Sequence, residues 1–149
     1  MTIQKKMTTK GLMIILLSFA MITSCSKYKK YDNHEIIEDT FSGSATVDND
    51  SDPDGNFSGS GDNGTFSFAW VNSETKAKVK FDITATEGSV QVILNDKKGK
   101  EVFNQTLTGG TSVDSFEGIS EEGKAGTWKV SLIFTNFNGS GSYEIDPGN

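Results

Sequence analysis

The chain has little to staple itself with and less to catalyse with. Its 149 residues include one cysteine, one histidine, two prolines and no arginine, so all 14 basic residues are lysines. One thiol excludes an internal disulfide and is a poor start for a metal centre. A nucleophilic serine, threonine or cysteine needs a base, usually histidine, and His34 stands alone in a polar stretch. The chain is acidic, with a formal charge of −6. Nucleic-acid affinity comes from neutralising phosphates, so such a chain is not a nucleic-acid partner. Gly59-Ser60-Gly61 and Gly139-Ser140-Gly141 do not lead into helical patterns, so they are turn glycines and not phosphate cradles. These absences weigh against an enzyme and leave a binding or structural role.

Long apolar runs are also missing, except for one near the start. Lys5, Lys6 and Lys10 precede residues 11–21 (GLMIILLSFAM), and no acid occurs in that segment. Eleven residues make a helix of about 16 Å, half a bilayer core, and no polar positions recur at a helical period. This is the grammar of an export signal over residues 1–24. It ends in Ile22, Thr23, Ser24 and Cys25, which resembles the lipobox of bacterial lipoproteins. The resemblance implies cleavage between Ser24 and Cys25 and acylation of the Cys25 thiol. Membrane lipid is then the first partner, at about 0.8 kcal/mol per buried methylene. It also implies the extracytoplasmic face of a bacterial membrane, with the outer membrane or cell surface favoured over the inner membrane. Residues 25–39 read as anchor and tether. Lys27, Lys29, Lys30, Tyr28 and Tyr31 lie nearest the lipid and acids follow, which suits either contact with an anionic surface or a solvated stalk. Removing the three signal lysines takes the formal charge from −6 to −9.

From residue 40 to 149 the composition turns to Thr, Ser, Gly, Phe and Val, with turn signals about every ten residues. Phe66, Phe68 and Trp70 alternate with polar or small residues. Ala77, Val79, Phe81, Ile83 and Ala85 alternate with Lys76, Lys78, Lys80, Asp82 and Thr84. Trp128, Val130, Leu132 and Phe134 alternate with Thr127, Lys129 and Ser131. Weaker strands are expected over 41–47, 89–95, 101–108, 111–117 and 140–145, with a hairpin at 95–99 turning on Gly99. The expectation is an all-β fold: a single antiparallel, jelly-roll-like sandwich of about eight strands. Residues 125–130 (AGTWKV), the pair-forming 141–145 (GSYEI), and the apolar strand at 90–100 running into Asn-Asp and a glycine turn resemble the bacterial pre-peptidase C-terminal type of sandwich. Where many members of that family carry an acidic pair on the middle strand, this chain has Gln91 and Ile93.

Two features point to a ligand. Trp70 and Trp128 would stack on sugar rings if they faced outward, but their phase places them with the core. A carbohydrate-binding or adhesin-like surface role therefore needs another outward aromatic, for which Phe103, Phe137 and Tyr143 are the candidates. The second feature is the acidic run Asp48, Asp50, Asp52 and Asp54. Asp50, Asp52, Asp54 and Gly55 take the first, third, fifth and sixth positions of an EF-hand-like calcium loop. Gly61 stands where the bidentate glutamate belongs, so Asp62 or backbone carbonyls would have to complete the shell. A solvated acidic turn explains the same residues. Apart from possible calcium, no cofactor is expected. Besides lipid, the candidate partners are an envelope protein or a glycan.

Overall fold

The computed structural model describes residues 34–148. The signal segment, Cys25 and most of the expected tether lie outside the described residues. No helix occurs among those described, and hydrogen bonding is antiparallel throughout. Seven strands run in order: β1 (Ile36–Asp39), β2 (Ser44–Ala45), β3 (Asp54–Asn72), β4 (Lys76–Asn95), β5 (Glu101–Thr108), β6 (Asp114–Ile119) and β7 (Gly126–Gly148). They form one continuous sheet in the order β1-β3-β7-β4-β5, with β2 added to β3 and β6 added to β4.

Three of these strands are unusually long, at 19, 20 and 23 residues, and each changes the parity of its buried positions part-way. In β4 the inward residues are Ala77, Val79, Phe81, Ile83 and Ala85, then Val90, Val92 and Leu94. In β7 they are Trp128, Val130, Leu132 and Phe134, then Phe137, Tyr143 and Ile145. The register is irregular at the same places, around Asp62 in β3 and Glu87 in β4. An extra residue in a ladder bends the strand and shifts side-chain parity by one. Because the irregularities lie side by side, the sheet creases along one line and folds over on itself.

The fold-over produces two layers of five strand segments each. One layer holds β2, the first part of β3, the last part of β7, the first part of β4, and β6. The other holds β1 and β5 around the remaining parts of β3, β7 and β4. Ring contacts bridge the layers: Phe57 to Phe134 at 5.3 Å, Phe68 to Tyr143 at 6.1 Å and Phe103 to Phe116 at 5.4 Å. The expected all-β sandwich is therefore present, built from fewer and longer strands. The expected strands at 89–95 and 140–145 are the far halves of β4 and β7, and 41–47 pairs as a strand only at Ser44–Ala45.

Backbone conformation at the crease explains its composition. Gly61, Gly64 and Gly88 have positive φ, and so does Asn136, one of the few residue types that tolerates it. A Cβ on Gly88 would collide with the Asn136 carbonyl. Across the crease Asn63 accepts the Asn136 N–H at 2.9 Å and donates to its side-chain oxygen at 3.2 Å. Asp62 accepts the Ser60 N–H at 2.6 Å and the Ser42 hydroxyl at 2.9 Å. These bonds hold its carboxyl below the usual carboxylate range.

The folded part starts earlier than residue 40. Residues 36–39 were expected in the tether but form β1 against β3, and Ala69 donates its N–H to the Glu35 carbonyl at 2.9 Å. His34, also expected in the polar tether, has a side chain only 4% exposed and meets the Phe68 ring edge-on at 5.2 Å. A short acid-flanked apolar pair reads as linker in isolation; Ile36 packs against the core only because β3, thirty residues further on, pairs with it, while Ile37 stays exposed.

Candidate functional site

Both tryptophans are core residues, each 1% exposed. They meet edge to face at 5.9 Å, as direct cross-strand partners on β3 and β7. Their indole N–H groups donate to the Ser51 and Lys124 carbonyls at 2.9 and 2.8 Å, so burial leaves neither polar handle unpaired. Phe103, Phe137 and Tyr143 also face inward. The Tyr143 hydroxyl donates to the Thr46 carbonyl at 2.7 Å and fastens the segment before β3 onto β7. The outward aromatic that a stacking platform needs is not supplied by any of the three.

The aspartate run is a closed loop whose ends pair: Asp48 and Asp54 exchange backbone hydrogen bonds of 2.8 and 3.2 Å. Three carbonyls within it are already engaged. Asn49 O lies 2.9 Å from His34 Nε2, Ser51 O takes the Trp70 indole, and Pro53 O takes the Ile145 N–H at 2.9 Å. The carboxylates do not come together as a set of three. Asp50 approaches His34 Nε2 at 4.0 Å, Asp52 accepts the Ser51 hydroxyl at 3.2 Å, and Asp54 stands on the outer face of β3. Asp62 is eight residues further along β3, about 26 Å at the rise of an extended strand. Among the described residues no group of three or more acidic, histidine or cysteine side chains converges as metal ligands.

What the structure assembles instead is the outer face of the first layer. Strand alternation sends every second side chain of β3, β7, β4 and β6 to this face, and the register sets them in rows. One row reads Asp54, Glu144, Lys80, Glu117. The next reads Asn56, Ser142, Asp82, Ser115, and a third Ser58, Ser140, Thr84. Within the second row the Ser142 hydroxyl donates to Asp82 at 2.9 Å. The short side chains of the second and third rows leave a depression beside the longer charged ones of the first. A concavity of about 510 Å³ opens between the aspartate loop and β4, with Asp52, Asp54, Lys80, Asp82, Glu144 and Asp146 on its walls. A second, of about 420 Å³, adjoins it and shares Asn56, Asp82 and Ser142.

This face offers carboxylate acceptors, an ammonium donor, an amide, and hydroxyls that do both. Its floor is interior strand, so its backbone groups are already paired with neighbours and recognition falls to side chains. The Ser142 hydroxyl donates to the Asp82 carboxylate, and no histidine is among the residues lining either concavity. Alternation alone puts Lys76, Lys78, Lys80, Asp82 and Thr84 on an outward face, but only pairing brings Lys80 beside Glu144 and Asp54. Cross-strand neighbours more than twenty residues apart leave no local periodic signal.

No protein-family model matches the chain, and no curated protein matches it by sequence. Several solved structures resemble it in backbone course. One is the carbohydrate-binding module CBM4, at 11% identity over 70% of this chain and 78% of that one, TM-score 0.43. Another is a variant of a family 29 carbohydrate-binding module complexed with cellulohexaose, at 13% identity over 76% and 79%, TM-score 0.43. A third is the enzymatically active domain of bacteriophage CBA120 tailspike protein 4, at 13% identity over 73% of this chain and 18% of that one, TM-score 0.47.

Proposed function

We propose that this protein is a lipid-anchored, non-enzymatic binding module of the bacterial cell envelope, and that its ligand is a hydroxyl-rich, uncharged or cationic molecule such as a glycan. The anchoring half of the reading rests on the basic start, the short apolar run and the Ile22-Thr23-Ser24-Cys25 motif. Acylated Cys25 would hold the domain at the extracytoplasmic face, beside outer-membrane or surface polymers.

The binding half rests on one observation: the adjoining concavities on the outer face are walled by hydrogen-bonding side chains fixed on a rigid sheet. Such a face matches a ligand whose own surface is a series of hydroxyls. Five carboxylates around Lys80 repel polyanions, so uronate-rich chains and nucleic acids are poor ligands. With both tryptophans buried and no exposed aromatic among the residues lining these two concavities, hydrogen bonds supply most of the affinity there. The test is a binding screen of the full chain, purified in mild detergent, against immobilised neutral glycans and a polyuronate. Retention by a neutral glycan, lost in an Asp82→Ala variant of unchanged thermal midpoint, is the expected result. If no glycan is retained, this reading of the face is wrong.

A further inference from the structure

Resting on that reading, we infer that the ligand is a linear, unbranched glycan that lies parallel to β3, β7 and β4 in one continuous trough. The two concavities of the outer face do not end at the third row. A third, of about 790 Å³, meets the second at Thr84 and continues past Thr86 and Asn138 to the loop carrying Val113. Asp146 lines the first concavity and Asn138 the third, so the trough follows β7 over eight residue steps. That is about 26 Å at the rise of a strand, the length of several sugar rings.

Its chemistry changes along this path. The end beside the aspartate loop is walled by carboxylates and Lys80. The middle is floored by the hydroxyls of Ser58, Ser140, Ser142 and Thr84. The far end presents the exposed Val113 with the exposed Thr86 and Thr111 beside it. A compact ligand would use one of these zones. A chain of repeating hydroxyl-bearing units uses all three, because each ring carries both hydroxyls and an apolar face. A peptide strand fits this floor less well: β3, β7 and β4 are hydrogen-bonded on both sides here and offer no open edge for strand addition.

The far-end contacts are the distinguishing ones, because nothing there belongs to the acidic row. Neutral unbranched oligosaccharides of two to eight units, of whichever linkage the full chain retains, are titrated calorimetrically with the full chain in detergent. Affinity is expected to rise at least tenfold from the dimer to the longest oligomers and then level off. Ser140→Trp, which fills the middle, should abolish binding of all but the shortest oligomers. Thr86→Trp, at the far end, should cut affinity for long oligomers about tenfold and leave dimers unaffected. Both positions are exposed, and an unchanged thermal midpoint shows that each variant folds. If a dimer binds as tightly as an octamer, or Thr86→Trp leaves the octamer untouched, the linear trough is overturned while glycan binding stands. If oligolysine binds along the trough and no glycan does, both the trough's assignment to glycan and the underlying reading fall.

Discussion

Asp96 shows how one side chain can organise a turn without being a functional site. It is 5% exposed at the β4–β5 hairpin, where one oxygen accepts the Lys98 and Lys100 N–H groups at 2.8 and 2.9 Å. The other accepts the Lys124 N–H at 2.8 Å, which ties the hairpin to the segment entering β7. Burial pushes the Asp96 carboxyl up, but the three backbone donors and the nearby Lys100 charge together outweigh it and the net shift is downward. The sign of the pH effect follows. A carboxyl with a depressed folded-state pKa contributes stability above its unfolded value, about 3.9, and that contribution is lost as pH falls through the folded value. Acid titration of unfolding should therefore show a drop in midpoint below about pH 4. In Asp96→Asn that drop should shrink, with lower stability at neutral pH because the asparagine amide can replace only part of the acceptor set. Equal acid profiles for the two proteins would assign the turn's stability elsewhere.

At the scale of elements the decisive feature is the crease, and it can be tested against a matched turn. Gly88 and Gly99 both have positive φ, +79° and +81°. A Cβ at Gly99 meets open space, whereas at Gly88 it meets the Asn136 and Thr135 backbone. Gly99→Ala should cost about 1 kcal/mol from backbone conformation alone. Gly88→Ala should cost well beyond that, because two neighbouring strands must separate; the readout is the denaturant midpoint of each variant. Comparable losses would mean that the crease is not held by close backbone approach. The same element shows why the sequence was only partly legible. Alternation identified the inward faces of β3, β4 and β7 and hence both tryptophans as core, because period-2 burial is a local signal. The crease was not legible, because Gly61, Gly64, Gly88 and Asn136 look like strand ends, and only pairing shows that the ladder continues through them. For the same reason the candidate site was half visible: one strand's outward residues were evident, but Asp54, Lys80 and Glu144 share a row through pairing alone.

For the whole molecule, the question is where the folded body begins relative to its expected anchor. β1 and His34 belong to it. His34 Nδ1 lies 3.1 Å from the Ala69 carbonyl and Nε2 lies 2.9 Å from that of Asn49, so this one side chain bridges β3 and the loop at the mouth of the trough. If Cys25 carries the acyl chains, eight residues, 26–33, lie between it and His34. Eight residues reach at most about 29 Å when fully extended. The trough would then be presented within one domain diameter of the bilayer, beside polymers rooted in it. The boundary is testable without lipid. A chain beginning at His34 should unfold as one cooperative unit. A chain beginning at Thr40 loses the β1 ladder, the Glu35 carbonyl bond to Ala69 and both His34 contacts. At roughly 1 kcal/mol net for each hydrogen bond, it should be less stable by about 3 kcal/mol or more in denaturant titration. Hydrogen exchange of the amides at 49–53 should rise with it, since the loop loses its bridge to β3 through His34. If the two chains have the same midpoint, residues 34–39 are a tether that merely rests on the sheet, and the anchor regains the longer reach that a boundary at residue 40 implies.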